Sequence, residues 1–280
     1  MTISLEHLAL SPYAQRFDAL SALDAEQRLA FLNGAARTLD LRNDFQQVVR
    51  FAHARPATKA ADYEWAIGGN LGETEGVIAT RMEGDDAFHD LFNALIWLDF
   101  PKTKAFLNRL QVTQIAQERQ PHLSASKPEA RSRQRDQITL FDENGALFVC
   151  QDERLAGLLK TKDWPALFLS QRVELISTAR LLVFGHGLLQ KCLRPFKSMT
   201  ARTVVVSLAA DASPPELDQA LSRILQQSWP AWPVTPLPIN GWPAWSKEQD
   251  AEFYADQAVF RRDRWRRPGV CEAFESKFKG

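Results

Sequence analysis

The most strongly apolar segment of the chain runs from Asp86 to Phe100. There Phe88, Leu91, Phe92, Leu95, Ile96 and Leu98 put apolar surface on every side of a helix, the pattern of a buried one. Pro101 ends it and opens a second helix reaching about Glu118, with proline in the first turn where its missing N–H costs nothing. The first sixty residues read as helical. Asp24 and Gln27 form a capping box that opens a helix through Leu39, and Pro56 closes the region. Residues 63–81 carry Gly68, Gly69, Gly72 and Gly76, too many for a helix, and predict a short hairpin or an irregular loop. Residues 120–135 are polar and basic and read as a surface loop. Apolar stretches at 138–141 and 146–150 flank Asp142-Glu143-Asn144-Gly145, which predicts a β-hairpin over 138–150 because Asn-Gly suits a tight turn. Helices are expected at 151–160, 186–194 and 214–227 and a β-branched strand at 203–208, while 171–184 stays open between strand and helix. The fold class is therefore α+β: mainly helical, with a small sheet containing the 138–150 hairpin and the 203–208 strand.

Composition narrows the function classes. The 45% hydrophobic and 24% charged content is that of a globular protein. Lys plus Arg equals Asp plus Glu at 34 each, so no global field favours nucleic acid or an anionic membrane. Nucleic-acid binding is disfavoured, and only the basic run from Arg261 to Arg267 would support it locally. Residues 224–246 carry no charge, but their five prolines exclude an ordinary transmembrane helix. Met1 to Phe17 lacks the pattern of a secretory signal. The widely spaced Cys150, Cys192 and Cys271 predict free thiols and a reduced, cytoplasmic setting. Four tryptophans among the prolines of 229–245 predict a segment that wraps the body in an extended conformation, or else docks a partner.

The candidate chemistry centres on the apolar helix. His89, Asn93 and Trp97 fall on one face, each a turn from the next. A buried carboxamide is costly unless hydrogen bonded, so Asn93 needs a partner, either structural or a ligand. The next helix begins with Lys102 and Lys104 where its dipole favours anions. Together with Arg81 upstream these make an anion site, or else are simply solvated. Asp142 lies in an acidic turn, and His186 sits between two glycines. With Asp90 and His89 they supply the groups of a divalent-metal or general acid/base site, though acidic turns and lone histidines also occur for structural reasons. No CxxC or HExxH spacing gives a sequence-local zinc site.

The run from His89 to Leu98, Phe100-Pro101-Lys102-Thr103-Lys104, Leu107-Asn108, Arg135-Asp136, Thr139 to Gly145, Phe184-Gly185-His186 and Leu188-Leu189 together resemble a bacterial family, domain of unknown function 3025. The likeness continues through Pro236-Leu237-Pro238, Gly241-Trp242-Pro243, Phe253-Tyr254 and Val259-Phe260-Arg261. The resemblance covers a main α+β domain over 61–262; ahead of it 1–60 reads as a helical region, and 263–280 as a basic tail. It implies no established reaction.

Two readings follow. One is an enzyme, a metal-assisted hydrolase of a phosphorylated or otherwise anionic substrate. His89, Asp90, Asn93, Asp142 and His186 would form its polar centre, and Arg81, Lys102 and Lys104 would hold a small anionic ligand. The other is a non-catalytic binding or scaffold protein using the Trp/Pro segment or the basic tail. Neither the metal nor the oligomeric state can be read from the sequence.

Overall fold

A computed structural model describes residues 8–55, 59–69, 75–84, 87–119, 132–246 and 249–261. The helices α1 (Ser11–Ser21) and α2 (Ala25–Thr38) lead into strand β1 (Val48–His53), helix α3 (Ala60–Gly68) and strand β2 (Glu75–Thr80). The helices α4 (Ala87–Asp99), α5 (Pro101–Glu118) and α6 (Arg133–Asn144) follow in succession. Then come β3 (Gly145–Cys150), α7 (Glu153–Lys160), a π-helical turn (Ala166–Ser170), α8 (Arg172–Thr178) and β4 (Ala179–Val183). The chain continues through α9 (His186–Cys192), β5 (Thr200–Val206), α10 (Pro214–Ser228), β6 (Thr235–Pro238) and α11 (Ala251–Ala255). The fold is α+β and mainly helical.

The strands make two sheets. β1 and β2 form a parallel pair, with His53 opposite Thr80 at their ends. The larger sheet has the order β4-β3-β5-β6, in which β3 runs antiparallel to β4 and parallel to β5. Every residue of β3 is buried, as expected of a central strand covered on both faces. α4 packs against β2 and against α9, and so joins the small sheet to the large one.

The capping box at Asp24 and Gln27 is present, with Asp24 accepting from the Gln27 amide at 2.8 Å. The helix expected over 86–100 is α4, and the 203–208 strand is realised as β5 over Thr200–Val206. Residues 171–184 divide into a helix followed by a strand. The Trp/Pro segment does wrap the body: its strand β6 closes the sheet, and Trp232 and Trp242 are buried.

Two expectations are corrected. There is no hairpin over 138–150: residues up to Asn144 form α6, and only 145–150 are strand. Arg135, Ile138 and Phe141 are buried at three-residue spacing, one face of a helix that Ser132 caps. Gly145 has an extended backbone (φ −69°, ψ 149°), so Asn-Gly here is a helix-to-strand junction and not a turn. A side chain at Gly145 would place its Cβ 2.5 Å from the Phe141 carbonyl oxygen, which explains the glycine without a hairpin. Within 63–81 the described parts are also not a hairpin: Gly68 and Gly69 close α3, and Gly76 lies within β2, which pairs in parallel with β1, while 70–74 lie outside the described residues. Most of the 120–135 loop, Gly72, Cys271 and the basic tail beyond Arg261 lie outside the described residues. Cys150 and Cys192 are free and buried, and among the described residues no helix is long and apolar enough to cross a membrane.

Candidate functional site

Between the ends of β1 and β2 and the helices α3, α4, α5, α6 and α9, a cleft of ≈ 640 Å³ opens. Residues just past the ends of β1 and β2 line it (Ala54, Arg55, Arg81), with Tyr63 and Glu64 from α3. α4 contributes His89, Asp90 and Asn93, α5 contributes Gln111, and α6 contributes Arg135, Thr139, Asp142 and Glu143. His186, the first residue of α9, completes the wall. Most of the lining side chains are polar or charged, and Ala54, Ala60 and Ala79 are its aliphatic residues.

At the junction of α4, α6 and α9, three side chains converge. His186 Nε2 lies 3.4 Å from Glu143 Oε1, and His89 Nε2 lies 3.8 Å from the same oxygen. The imidazole rings are 4.5 Å apart, edge to face. One ligand atom from each of His89, Glu143 and His186 falls within 4.8 Å of the others. Behind each imidazole stands an acceptor. His89 Nδ1 meets Gln190 Oε1 at 3.1 Å, and His186 Nδ1 faces Asp142 Oδ2 at 3.8 Å, beyond hydrogen-bond length. With Nδ1 of His89 bonded to Gln190, its Nε2 faces Glu143, as does Nε2 of His186, a placement like that by which an outer shell orients metal-ligating histidines.

The flanking glycines of His186 serve close approach. A Cβ at Gly187 would lie 2.1 Å from Glu143 Oε2, and one at Gly185 would lie 2.5 Å from the Asn144 amide nitrogen. Glycine at both positions lets the end of α6 rest against His186. Because α6 is helical, Asp142 and Glu143 point in directions about 100° apart. One addresses Nδ1 and the other Nε2 of the same ring.

The charges fit ligation. Burial alone would raise the Glu143 carboxyl, but its bond to His186 and the charges of His186, His89 and Lys104 outweigh that and hold it at about 2. Burial and the neighbouring His186 push His89 down, against the pull of Glu143, which favours the neutral imidazole a metal requires. Bonds of about 2.0–2.2 Å to a tetrahedral ion place ligand atoms roughly 3.3–3.6 Å apart. The His186–Glu143 pair is already at that spacing. Two imidazoles and a carboxylate are a donor set for zinc, or for iron(II) with open positions.

The remaining candidates occupy distinct places. Asp90 is held by Arg81 through its backbone N (2.7 Å), Nε (2.9 Å) and Nη2 (2.8 Å). Asn93 donates from Nδ2 to the Tyr63 hydroxyl at 2.7 Å, while its Oδ1 is buried with no hydrogen-bond partner. Lys104 is buried, gives its ammonium to Asp142 Oδ1 at 2.5 Å, and lies 5.5 Å from the centre of the Trp97 ring. Lys102 lies outside the cleft and reaches Gln219 at the surface. The start of α5 does receive an anion, but it is the protein's own. The Asp218 carboxylate accepts from the amides of Lys102 (2.9 Å) and Thr103 (2.8 Å).

A model of the family described as "Protein of unknown function (DUF3025)" matches residues 49–264. The chain belongs to this family. No curated protein and no solved structure matches it. All the cleft-lining residues fall inside the DUF3025 match. Sequence reasoning singled out His89, Asp90, Asn93, Asp142, His186 and Arg81 of this lining. It treated Glu143 only as part of an acidic turn and passed over Tyr63, Glu64 and Gln190. A helical reading of 133–144 would have put Asp142 and Glu143 on a helix end, but nothing local to the sequence marks Glu64.

Proposed function

We propose that the cleft is the active site of a metal-assisted hydrolase, with His89, Glu143 and His186 as ligands to a zinc ion. The observation that carries this reading is the convergence of both Nε2 atoms on one Glu143 oxygen, with an acceptor behind each Nδ1. Three protein ligands leave a fourth position for water or substrate, the arrangement of catalytic zinc sites. The ion would polarise the scissile group and activate a water. Gln190 orients the His89 imidazole, and Lys104 fixes Asp142 beside His186.

The substrate class is phosphorylated or otherwise anionic, in keeping with Arg55, Arg81 and Arg135 in the lining. Asp90 braces Arg81 in this role. Lys104 acts through Asp142, and Lys102 has no part. The burial of Trp232 and Trp242 within the protein's own core weighs against the scaffold reading, because it consumes the segment a partner would have used.

Calorimetric titration with zinc, together with elemental analysis of the purified protein, tests the proposal. One zinc per chain is expected, with binding lost in Glu143→Gln and His186→Gln while the fold persists by circular dichroism. A wild-type protein that takes up no zinc would overturn it.

A further inference from the structure

The cleft holds four carboxyl groups, and three of them are committed. Both Asp90 oxygens accept from Arg81. Asp142 spends one oxygen on Lys104 and turns the other to His186. Glu143 faces the two imidazoles. Glu64 differs: Asn108 donates from Nδ2 to its Oε2 at 2.7 Å, and among the described residues no hydrogen bond engages Oε1. Asn108 also donates to the Glu64 backbone carbonyl at 2.9 Å, fixing the side chain against its own helix. Glu64 lines both the cleft and a narrower pocket behind it that it shares with Lys104, Asn108, Gln111 and Asp142.

We infer that Glu64 is the proton-transferring catalytic residue of the cleft, taking a proton from the attacking water and returning it to the leaving group. The inference rests on the hydrolase reading above. In the step, the water oxygen bonds to the electrophilic carbon or phosphorus as its proton passes to Glu64 Oε1. The bond to the leaving atom then breaks, and that atom recovers the proton from Glu64. Protons and electrons balance without a co-reactant.

The surroundings suit the task. Burial raises the Glu64 carboxyl to about 7, and the neighbouring Asp142 adds to this, against Asn108, Lys104 and Arg135, which lower it. Tyr63, the other ionisable group on that face of α3, is pushed well above the ordinary tyrosine value by burial and the Glu64 and Asp142 charges, so it does not compete as a base. An acid/base group works best when it exchanges its proton near the working pH.

The test compares wild type and Glu64→Gln, both zinc-loaded, with p-nitrophenyl phosphate as the probe. The glutamine keeps an oxygen for Asn108. Zinc affinity and KM should stay within about threefold and the variant should remain folded, while kcat falls at least about 100-fold, the usual range for losing a general acid/base. The inflection of kcat near neutral pH should vanish, a change that a merely structural role would not produce, and Glu64→Asp should restore part of the rate with the inflection. A Glu64→Gln protein with kcat within threefold of wild type and the same pH profile would overturn the inference while leaving the zinc site standing. Wild type that binds zinc yet shows no turnover of the probe would instead overturn the hydrolase reading, and this inference with it.

Discussion

Two buried carboxylate clusters in this protein are built from similar parts and finished differently. At the contact of α5 and α10, Asp218 is buried, accepts from two backbone amides, and leaves the helix start satisfied. In the cleft and the narrower pocket behind it, by contrast, His186 Nδ1, Asn93 Oδ1 and Asn108 Oδ1 are buried without hydrogen-bond partners among the described residues, and Glu64 keeps one oxygen unengaged there. A saturated polar cluster joins elements. An unsaturated one holds its groups in reserve, at a cost in stability that the apolar α4 and β3 core must carry.

The largest effect should come from breaking the saturated cluster. Asp218→Ala removes the acceptor of two amides at the start of α5 at once, one of them buried, and hydrogen bonds to a charged group are worth about 1.5–3 kcal/mol each. A loss of roughly 3 kcal/mol in urea unfolding is expected, with zinc stoichiometry unchanged. Loss of zinc binding in a folded Asp218→Ala protein would show that the two clusters are not separate.

The next largest effect should have the opposite sign. The folded-state value of Glu64 lies above its unfolded value, so between about 4.5 and 7 the native state binds more protons than the unfolded one. Stability contributed by this group therefore falls as pH rises through that window. Glu64→Gln should stabilise the protein at pH 8 by up to about 2 kcal/mol and by almost nothing at pH 4. Melting curves at the two pH values check this, and equal shifts at both would remove Glu64 from the unsaturated set.

Asn93→Leu should have a smaller effect. The substitution is nearly isosteric and removes the bond to the Tyr63 hydroxyl, but Asn93 Oδ1 is already without a partner and loses nothing. About 1 kcal/mol of destabilisation is expected. A loss below about 0.5 kcal/mol would mean that the bond to Tyr63 contributes nothing net to stability.

The elements set by local signals were legible in the sequence. The apolar run of α4, the proline opening α5, the capping box of α2 and the β-branched core of β5 all depend on neighbours within a few residues. The 138–150 segment was not, because Asn-Gly serves a tight turn and a helix-to-strand junction equally well, and only the burial of Arg135, Ile138 and Phe141 on one face decides between them. The site was half legible for the same reason. His89, Asp142 and His186 stand out as polar or glycine-flanked residues in apolar surroundings. Glu64 lies in a helix that the surrounding glycines disguised, and its environment is made by Asn108, Asp142 and Lys104, all distant in sequence.

The smallest effect tests the same contrast at Lys102 and Lys104, two residues apart in the first turn of α5. Their spacing invites a shared role as anion holders, but two residues along a helix is a rotation of about 200°, so they face opposite ways. Lys104 turns inward to Asp142, whereas Lys102 is exposed and touches Gln219. The amides that an external anion would use at this helix start already serve Asp218. Lys102→Ala should therefore change stability by no more than about 0.5 kcal/mol, the usual range for an exposed site. It should leave both zinc binding and the KM for p-nitrophenyl phosphate unaltered. Arg81→Ala, which removes a cation from the cleft wall and releases Asp90, should raise that KM severalfold. A rise in KM for Lys102→Ala as large as that for Arg81→Ala would place the substrate at the α5 start after all, and the division between saturated and unsaturated clusters would fall with it.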